Sequence, residues 1–198
     1  MREDQGMIPS DQSSLLGLLQ SRKPSLAARR RCLEDSRAEL GLEEEEELSP
    51  ICVAYALMKL RVEPEEVSRL LTWKEFEGLA GALLRAAGYQ VRENVYLKAP
   101  RAQIDLIATG PSLALSIDCK HYKREQGPSL LAKFAQAQLE RSALLRRKTQ
   151  DVRPIASVIL SMSEPEGRFV EGVAVVPIRT LRSFLTSLDS YTALLELK

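Results

Sequence analysis

With 198 residues, 44% hydrophobic content and 28% charged residues, the chain has the size of one sizeable domain plus a smaller appendage, and a composition that excludes a wholly disordered protein. No apolar run approaches the roughly 18 residues of a membrane span, and the opening Met1-Arg2-Glu3-Asp4-Gln5-Gly6 lacks the apolar core of a signal peptide, so we expect an intracellular, cytoplasmic protein. The net charge of +1 conceals an asymmetry: residues 1–71 carry 10 Lys+Arg against 14 Asp+Glu, whereas residues 72–198 carry 18 against 13.

Residues 1–12 read as a frayed terminus. The stretch from Ser13 to Leu40 favours helix, with a break at Lys23-Pro24, Ser25 as a cap for a helix over Leu26 to Leu40, and Gly41 as its stop. The run Glu43-Glu44-Glu45-Glu46-Glu47 reads as a solvated loop or first helical turn, with a partner-binding acidic tract as the alternative. Ser49-Pro50 then provides a cap and a first helical position for an apolar helix over Ile51 to Leu60, and Pro64 to Leu71 forms another. Residues 1–71 are thus a small all-α region, and residues 72–198 are expected to form the main domain.

Thr72-Trp73-Lys74-Glu75 matches a capping box, so a new helix starts here and runs to Ala87 before Gly88. Trp73, Phe76, Ala80, Leu83, Leu84 and Ala87 make its apolar stripe. Glu75 is accounted for by capping. Glu77 falls on the edge of the stripe, where a carboxylate costs free energy unless a charge or a metal satisfies it.

Tyr89 to Leu97 alternates as a strand does. Ala102 to Ala108 and Leu113 to Lys120 follow as two more strands, joined at Thr109-Gly110-Pro111-Ser112. Alternation puts Leu113, Leu115, Ile117 and Cys119 on one face, and Asp118 and Lys120 on the other, about 7 Å apart. With the hairpin folding about Gly110 and Pro111, Asp105 lies opposite Ser116 and diagonal to Asp118, within reach of one divalent cation. The basic excess of residues 72–198 surrounds these acids, and a positive rim around a carboxylate site suits a phosphodiester substrate. After the loop Lys123 to Pro128 we expect a helix over Ser129 to Lys148, strands over Val152 to Ser161 and Gly172 to Pro177, and a last helix over Ile178 to Leu188. Cys32, Cys52 and Cys119 are odd in number and without CxxC spacing, so they read as small buried hydrophobes rather than disulfides or zinc ligands.

The order helix with Glu, strand, strand with Asp, strand with Asp-X-Lys, helix, strand resembles the PD-(D/E)xK nuclease superfamily. Mrr-type restriction endonucleases and archaeal Holliday-junction resolvases are the branches it looks most like. The residues that carry the likeness are Phe76-Glu77-Gly78-Leu79, Gly88-Tyr89-Gln90-Val91, Ile104-Asp105 and Asp118-Cys119-Lys120, over residues 72 to about 161. The helix after Lys120 lacks the Gln-X-X-X-Tyr signature of RecB-like nucleases, which separates the chain from that branch.

The resemblance implies a restriction-endonuclease-like α/β core, a central mixed sheet flanked by helices, with the small all-α region at the N-terminal side. It implies a Mg²⁺- or Mn²⁺-dependent DNA endonuclease. Asp105, Asp118, the Cys119 backbone carbonyl and Glu77 would ligate the metal, and Lys120 would orient the attacking water or hold the scissile phosphate. Gln103, Lys123, Arg124, Gln138 and Arg141 are candidates for contacts to the nucleic acid, as are Arg146, Arg147 and Lys148, while Gln136 is a candidate for a metal-bound water or phosphate. His121 faces away from Lys120 by alternation, and Tyr122 either stacks on a base or packs under the helix. Cutting both strands of a duplex favours a homodimer, and the acidic N-terminal region is a candidate surface for a protein partner. The alternatives are a non-catalytic nucleic-acid-binding or scaffold protein with the same fold, and an RNA nuclease.

Overall fold

The computed structural model describes residues 26–41, 49–62, 67, 71–122, 126–162 and 168–198. The glutamate run, Lys123 and Arg124 lie outside the described residues, as does most of the helix expected over 64–71.

Three helices lead into the sheet: α1 (Leu26–Leu40), α2 (Pro50–Lys59) and α3 (Trp73–Ala86). Gly41, at φ +65°, ends α1 in the left-handed conformation that glycine adopts without strain. Ser49 caps α2 by accepting the Cys52 N–H, with Pro50 in the first turn where a missing N–H costs nothing. The capping box of α3 is complete: Thr72 accepts from the Glu75 amide, and Glu75 accepts from the Thr72 amide. The buried face of α3 is rotated from the expected stripe. Leu79 and Gly81 are buried and Trp73 is 44% exposed, because the Trp73 indole turns to Glu77 instead of the core.

Six strands follow: β1 (Gln90–Leu97), β2 (Ala102–Thr109), β3 (Ala114–Lys120), β4 (Ile155–Ser161), β5 (Arg168–Val170) and β6 (Val173–Pro177). They form one mixed sheet in the order β1-β2-β3-β4-β6-β5. β1, β2 and β3 are antiparallel neighbours, β3 and β4 are parallel through the crossover helix α4 (Pro128–Lys148), β4 and β6 are parallel, and β5 closes the far edge antiparallel to β6. β3 and β4 are buried along nearly their whole length, as central strands covered on both faces must be. β1, with its charged, exposed positions, is an edge.

Alternation sends each strand's residues to two layers. On one face Leu106, Ala108, Leu115, Ile117, Cys119, Ala156, Val158 and Leu160 share a core with Leu33, Leu57, Phe76, Leu79 and Leu84 of α1, α2 and α3. The helices of residues 26–60 are therefore part of the same apolar cluster as the sheet. On the other face α4 packs Leu131, Ala135 and Leu139 over Ile159, Val173 and Val175, and Leu145 over Ile104, Ile107 and Ile155. No helix among the described residues is long and apolar enough to cross a membrane.

Several sequence expectations shift. The hairpin folds about Pro111 and Ser112, with the Gly110 N–H donating to the Leu113 carbonyl and the Arg153 guanidinium to the Gly110 carbonyl. Ser116 consequently pairs with Ile107 instead of Asp105. The slip is two positions, so faces are conserved and Asp105 moves level with Asp118. β4 starts at Ile155, because Pro154 has no N–H to enter the ladder and Val152 is 85% exposed. β5 is too short for alternation to reveal. The last helix is broken into a 3₁₀ turn (Ile178–Thr180), α5 (Leu181–Thr186) and α6 (Leu188–Tyr191).

Candidate functional site

Glu77, Asp105 and Asp118 arrive from α3, β2 and β3 and are 7%, 8% and 6% exposed. They lie near the carboxyl end of β3, close enough for the charges of Glu77 and Asp118 to act on Asp105. From α3 come Trp73 and Glu77, and from α4 come Phe134, Gln138 and Arg141. Among the described residues, the buried polar groups gather in this region and in the seam beneath α4, with Ser36 of α1 lying apart.

Asp105 Oδ2 accepts the Cys119 backbone N–H at 2.8 Å, so the carboxylate occupies a ladder position just beyond the last β2–β3 pair, Leu106 and Ile117. Burial pushes the Asp105 carboxyl up to about 6 against the opposing effect of that hydrogen bond, and the charges of Asp118 and Glu77 push it further. Lys120 pulls it down.

Asp118 is held by two cations. Lys120 Nζ lies 2.8 Å from Oδ2 and Arg141 Nη1 lies 3.1 Å from Oδ1. Oδ2 is fully buried, and no donor reaches it with hydrogen-bond geometry; its contact with Lys120 is an ion pair without a directed bond. The Lys120 ammonium lies between two aromatic rings, 5.0 Å from the Phe134 centroid and 5.9 Å from that of Trp73. Such faces attract a cation and keep it aimed at the acids. Glu77 takes a hydrogen bond from the Trp73 indole, one helical turn away.

Arg141 is itself positioned. Gln138, fully buried one turn earlier on α4, accepts from Arg141 Nη1 at 2.9 Å and donates to the Ser116 carbonyl and hydroxyl at 2.7 and 3.0 Å. Ser142 and Ser157 add a 2.7 Å bond between α4 and β4. These bonds satisfy polar groups that would otherwise be buried unpaired. Gln138 was expected to reach nucleic acid, but it is enclosed under α4 and its amide is committed to Ser116 and Arg141.

The remaining sequence candidates separate clearly. Gln103 is exposed on β2 and donates to Asn94 at 3.2 Å, away from the acids' partners. His121 stacks on Phe76 at 5.4 Å, and Tyr122 packs on Phe134 at 5.7 Å, under the helix. Gln136 is exposed and bonded to Glu140. The Cys119 side chain belongs to the core on the opposite face of the sheet, and burial raises its thiol pKa. Trp73, Phe134 and the Ser116–Gln138–Arg141 chain were missed. The signal for the last was the i, i+3 spacing of Gln138 and Arg141, together with Ser116 and Asp118 sharing one strand face.

Three carboxylates face two cations here, an excess of one negative charge in a site largely closed to water. Oxygen donors of this kind, one of them the buried Asp118 Oδ2 that meets the Lys120 ammonium without a directed bond, suit a hard divalent ion such as Mg²⁺. As they stand, no three His, Cys, Asp or Glu side chains among the described residues converge into a ligand shell. Each acid is turned instead to a protein partner: Glu77 to Trp73, Asp105 to the Cys119 amide, and Asp118 to Lys120 and Arg141.

Residues 68–145 match the sequence profile of the Mrr catalytic domain, described as a restriction endonuclease. An uncharacterized protein of Archaeoglobus fulgidus is 28% identical over 131 residues, 62% of this chain and 96% of its own length. No solved structure matches.

Proposed function

From the match of residues 68–145 to the Mrr-type restriction endonuclease domain, we propose that the chain is a Mg²⁺-dependent DNA endonuclease whose site is Glu77, Asp105, Asp118 and Lys120. The observation that carries the reading is that buried Asp105 feels the charges of Asp118 and Glu77 while Lys120 pairs with Asp118, which leaves negative charge in excess at the end of β3. Structural ion pairs in proteins are balanced, because an uncompensated buried carboxylate costs several kcal/mol. A site that retains such an imbalance is matched to a cation it recruits.

In this reading Asp105 and Asp118 hold the metal, with Glu77 and the Cys119 carbonyl completing its surroundings. When bound, Mg²⁺ supplies Lewis acidity toward the phosphate and an acidified water. The protein does the rest by position. Lys120, confined between Trp73 and Phe134, presents its ammonium where negative charge develops on the phosphoryl oxygens and the attacking water. The Trp73 indole keeps the Glu77 carboxylate turned toward the site. Arg141 neutralises Asp118 and so limits repulsion among the acids before the metal arrives. Cutting both strands of a duplex requires two such sites, which a homodimer supplies.

The test is cleavage of supercoiled plasmid and duplex oligonucleotides by purified protein. Cutting is expected with Mg²⁺ or Mn²⁺ and not with EDTA, and a loss of at least about 100-fold is expected for Asp118→Ala and Lys120→Ala with circular dichroism unchanged. Cutting that survives either substitution rules the site out. Tight DNA binding without cleavage under every metal condition favours a non-catalytic nucleic-acid-binding protein.

A further inference from the structure

An open cleft of about 510 Å³ runs beside the site, between the turn joining β1 to β2 and the exposed flank of α4. Pro100, Arg101 and Ala102 form one wall, and Glu140, Arg141 and Arg147 form the charged part of the other. Arg101 and Arg147 are exposed, and the structure shows no ion pair for either among the described residues. Glu140 lies at the rim, and Gln136 donates to it at 3.4 Å. Arg141 belongs to both places: it lines the cleft and also pairs with Asp118 at 3.1 Å. The cleft therefore abuts the acids through Arg141, and a polymer lying along it touches Arg101 and Arg147 as well.

Arg101, Arg141 and Arg147 line the two walls against a single acid, Glu140, so the cleft carries a net positive charge. They match a ligand that carries regularly spaced negative charge and is wide enough to touch both walls. A guanidinium binds phosphate oxygens through two parallel N–H bonds, and a row of them reads a phosphodiester backbone without regard to sequence. We propose that this cleft is the track for the DNA backbone, with Arg101 and Arg147 holding the phosphates that flank the one delivered to Asp118 and Lys120. The proposal rests on the nuclease reading of the site, but it concerns binding and is tested separately.

The experiment is fluorescence anisotropy of a labelled 20-base-pair duplex in EDTA, where nothing is cut, for wild type and for Arg101→Ala, Arg147→Ala, the double variant and Glu140→Gln across a salt series. Arg182→Ala, on α5 across the sheet, is the control. Each arginine removed from a phosphate contact lowers affinity about fivefold near 0.15 M salt and reduces the slope of log affinity against log salt by about 1. Glu140→Gln tightens binding about twofold by removing a like charge from the path. Calorimetric Mg²⁺ affinity stays at the wild-type value in all of these variants, because none touches the acids.

The proposal is overturned if the double variant binds DNA with wild-type affinity and slope. It is equally overturned if Arg182→Ala weakens binding as much, or if wild type fails to bind the duplex at low salt. Wild-type protein that binds through this cleft yet never cuts removes the nuclease reading and leaves the track standing. Protein that cuts while ignoring Arg101 and Arg147 does the reverse.

Discussion

Replacing Asp105 by Asn should make the protein more stable while removing its activity. The Asn carbonyl still accepts the Cys119 N–H, and the change deletes one charge from a buried group of three acids and two cations. The carboxyl is pushed up to about 6 from 3.8, a rise of about two units. At 1.36 kcal/mol per unit, ionised Asp105 costs the fold about 3 kcal/mol. The raised value means that the native state keeps its proton to higher pH than the unfolded chain does. Wild-type stability therefore falls as pH rises from about 4 to about 6 and is level above, as far as this group is concerned. Asp105→Asn lacks that fall. In EDTA at pH 7.5 the variant should exceed wild type by about 3 kcal/mol, or roughly 6–12 °C in Tm for a chain of this size, and the two should converge near pH 4. Urea unfolding followed by circular dichroism at pH 4, 5, 6 and 7.5 measures it. A difference that is negative, or that does not change across that window, would refute the idea that burying ionised Asp105 among its acidic neighbours costs the fold.

Other consequences of the geometry can be measured independently. The chain's single tryptophan donates to Glu77 and flanks Lys120, so saturable Mg²⁺ binding should change its fluorescence in wild type and not in Asp105→Asn; an unresponsive wild type would argue against metal entry here. Calorimetric Mg²⁺ affinity should rise with pH up to about 6 and then level, because the ion must displace the proton that burial keeps on Asp105 in the metal-free protein; an affinity independent of pH from 5 to 8 would separate Asp105 from the metal. Gln138→Ala should cost about 2–3 kcal/mol, since it removes the amide that bonds the buried Ser116 carbonyl and hydroxyl and the acceptor that steadies Arg141, and urea midpoints unchanged from wild type would show the seam to be dispensable. Cys52 and Cys119, both fully buried, should resist a thiol reagent until the protein is unfolded; labelling of either in native protein would contradict the packing of the sheet's α3 face.

The sequence made some parts of this legible because local rules decide them. Thr72 and Glu75 announce a helix start through atoms three residues apart, and Ser49-Pro50 does the same for α2. Strand alternation separated Asp118 and Lys120 from His121 correctly, since the period of two survives any slip in register by an even number. The slip itself was not legible: whether the hairpin turns about Gly110-Pro111 or Pro111-Ser112 depends on Arg153, which is 43 residues away and grips the Gly110 carbonyl. Glu77 was recognised as needing a partner, but its observed partner is the Trp73 indole, a neighbour on the same helix that the stripe had assigned to the core. Arg141 was legible as a basic residue for nucleic-acid contact but not as a partner of Asp118. Its pairing with Asp118 depends on how α4 settles on the sheet, and that is fixed by Gln138, Ser142 and their bonds to Ser116 and Ser157 across 15 to 22 residues.

The crossover between β3 and β4 has a bearing on how the protein is born. Glu77, Asp105, Asp118 and Lys120 emerge from the ribosome before Arg141, and the β2–β3 hairpin can close on its own short turn. The parallel partner β4 and the helix that carries Arg141 arrive only after a long connection, the slower kind of event in folding. A nascent chain thus holds its acids and lysine on a half-built sheet, without Phe134 or Arg141 to confine them. The proposed site is completed only when the crossover helix has docked on the sheet.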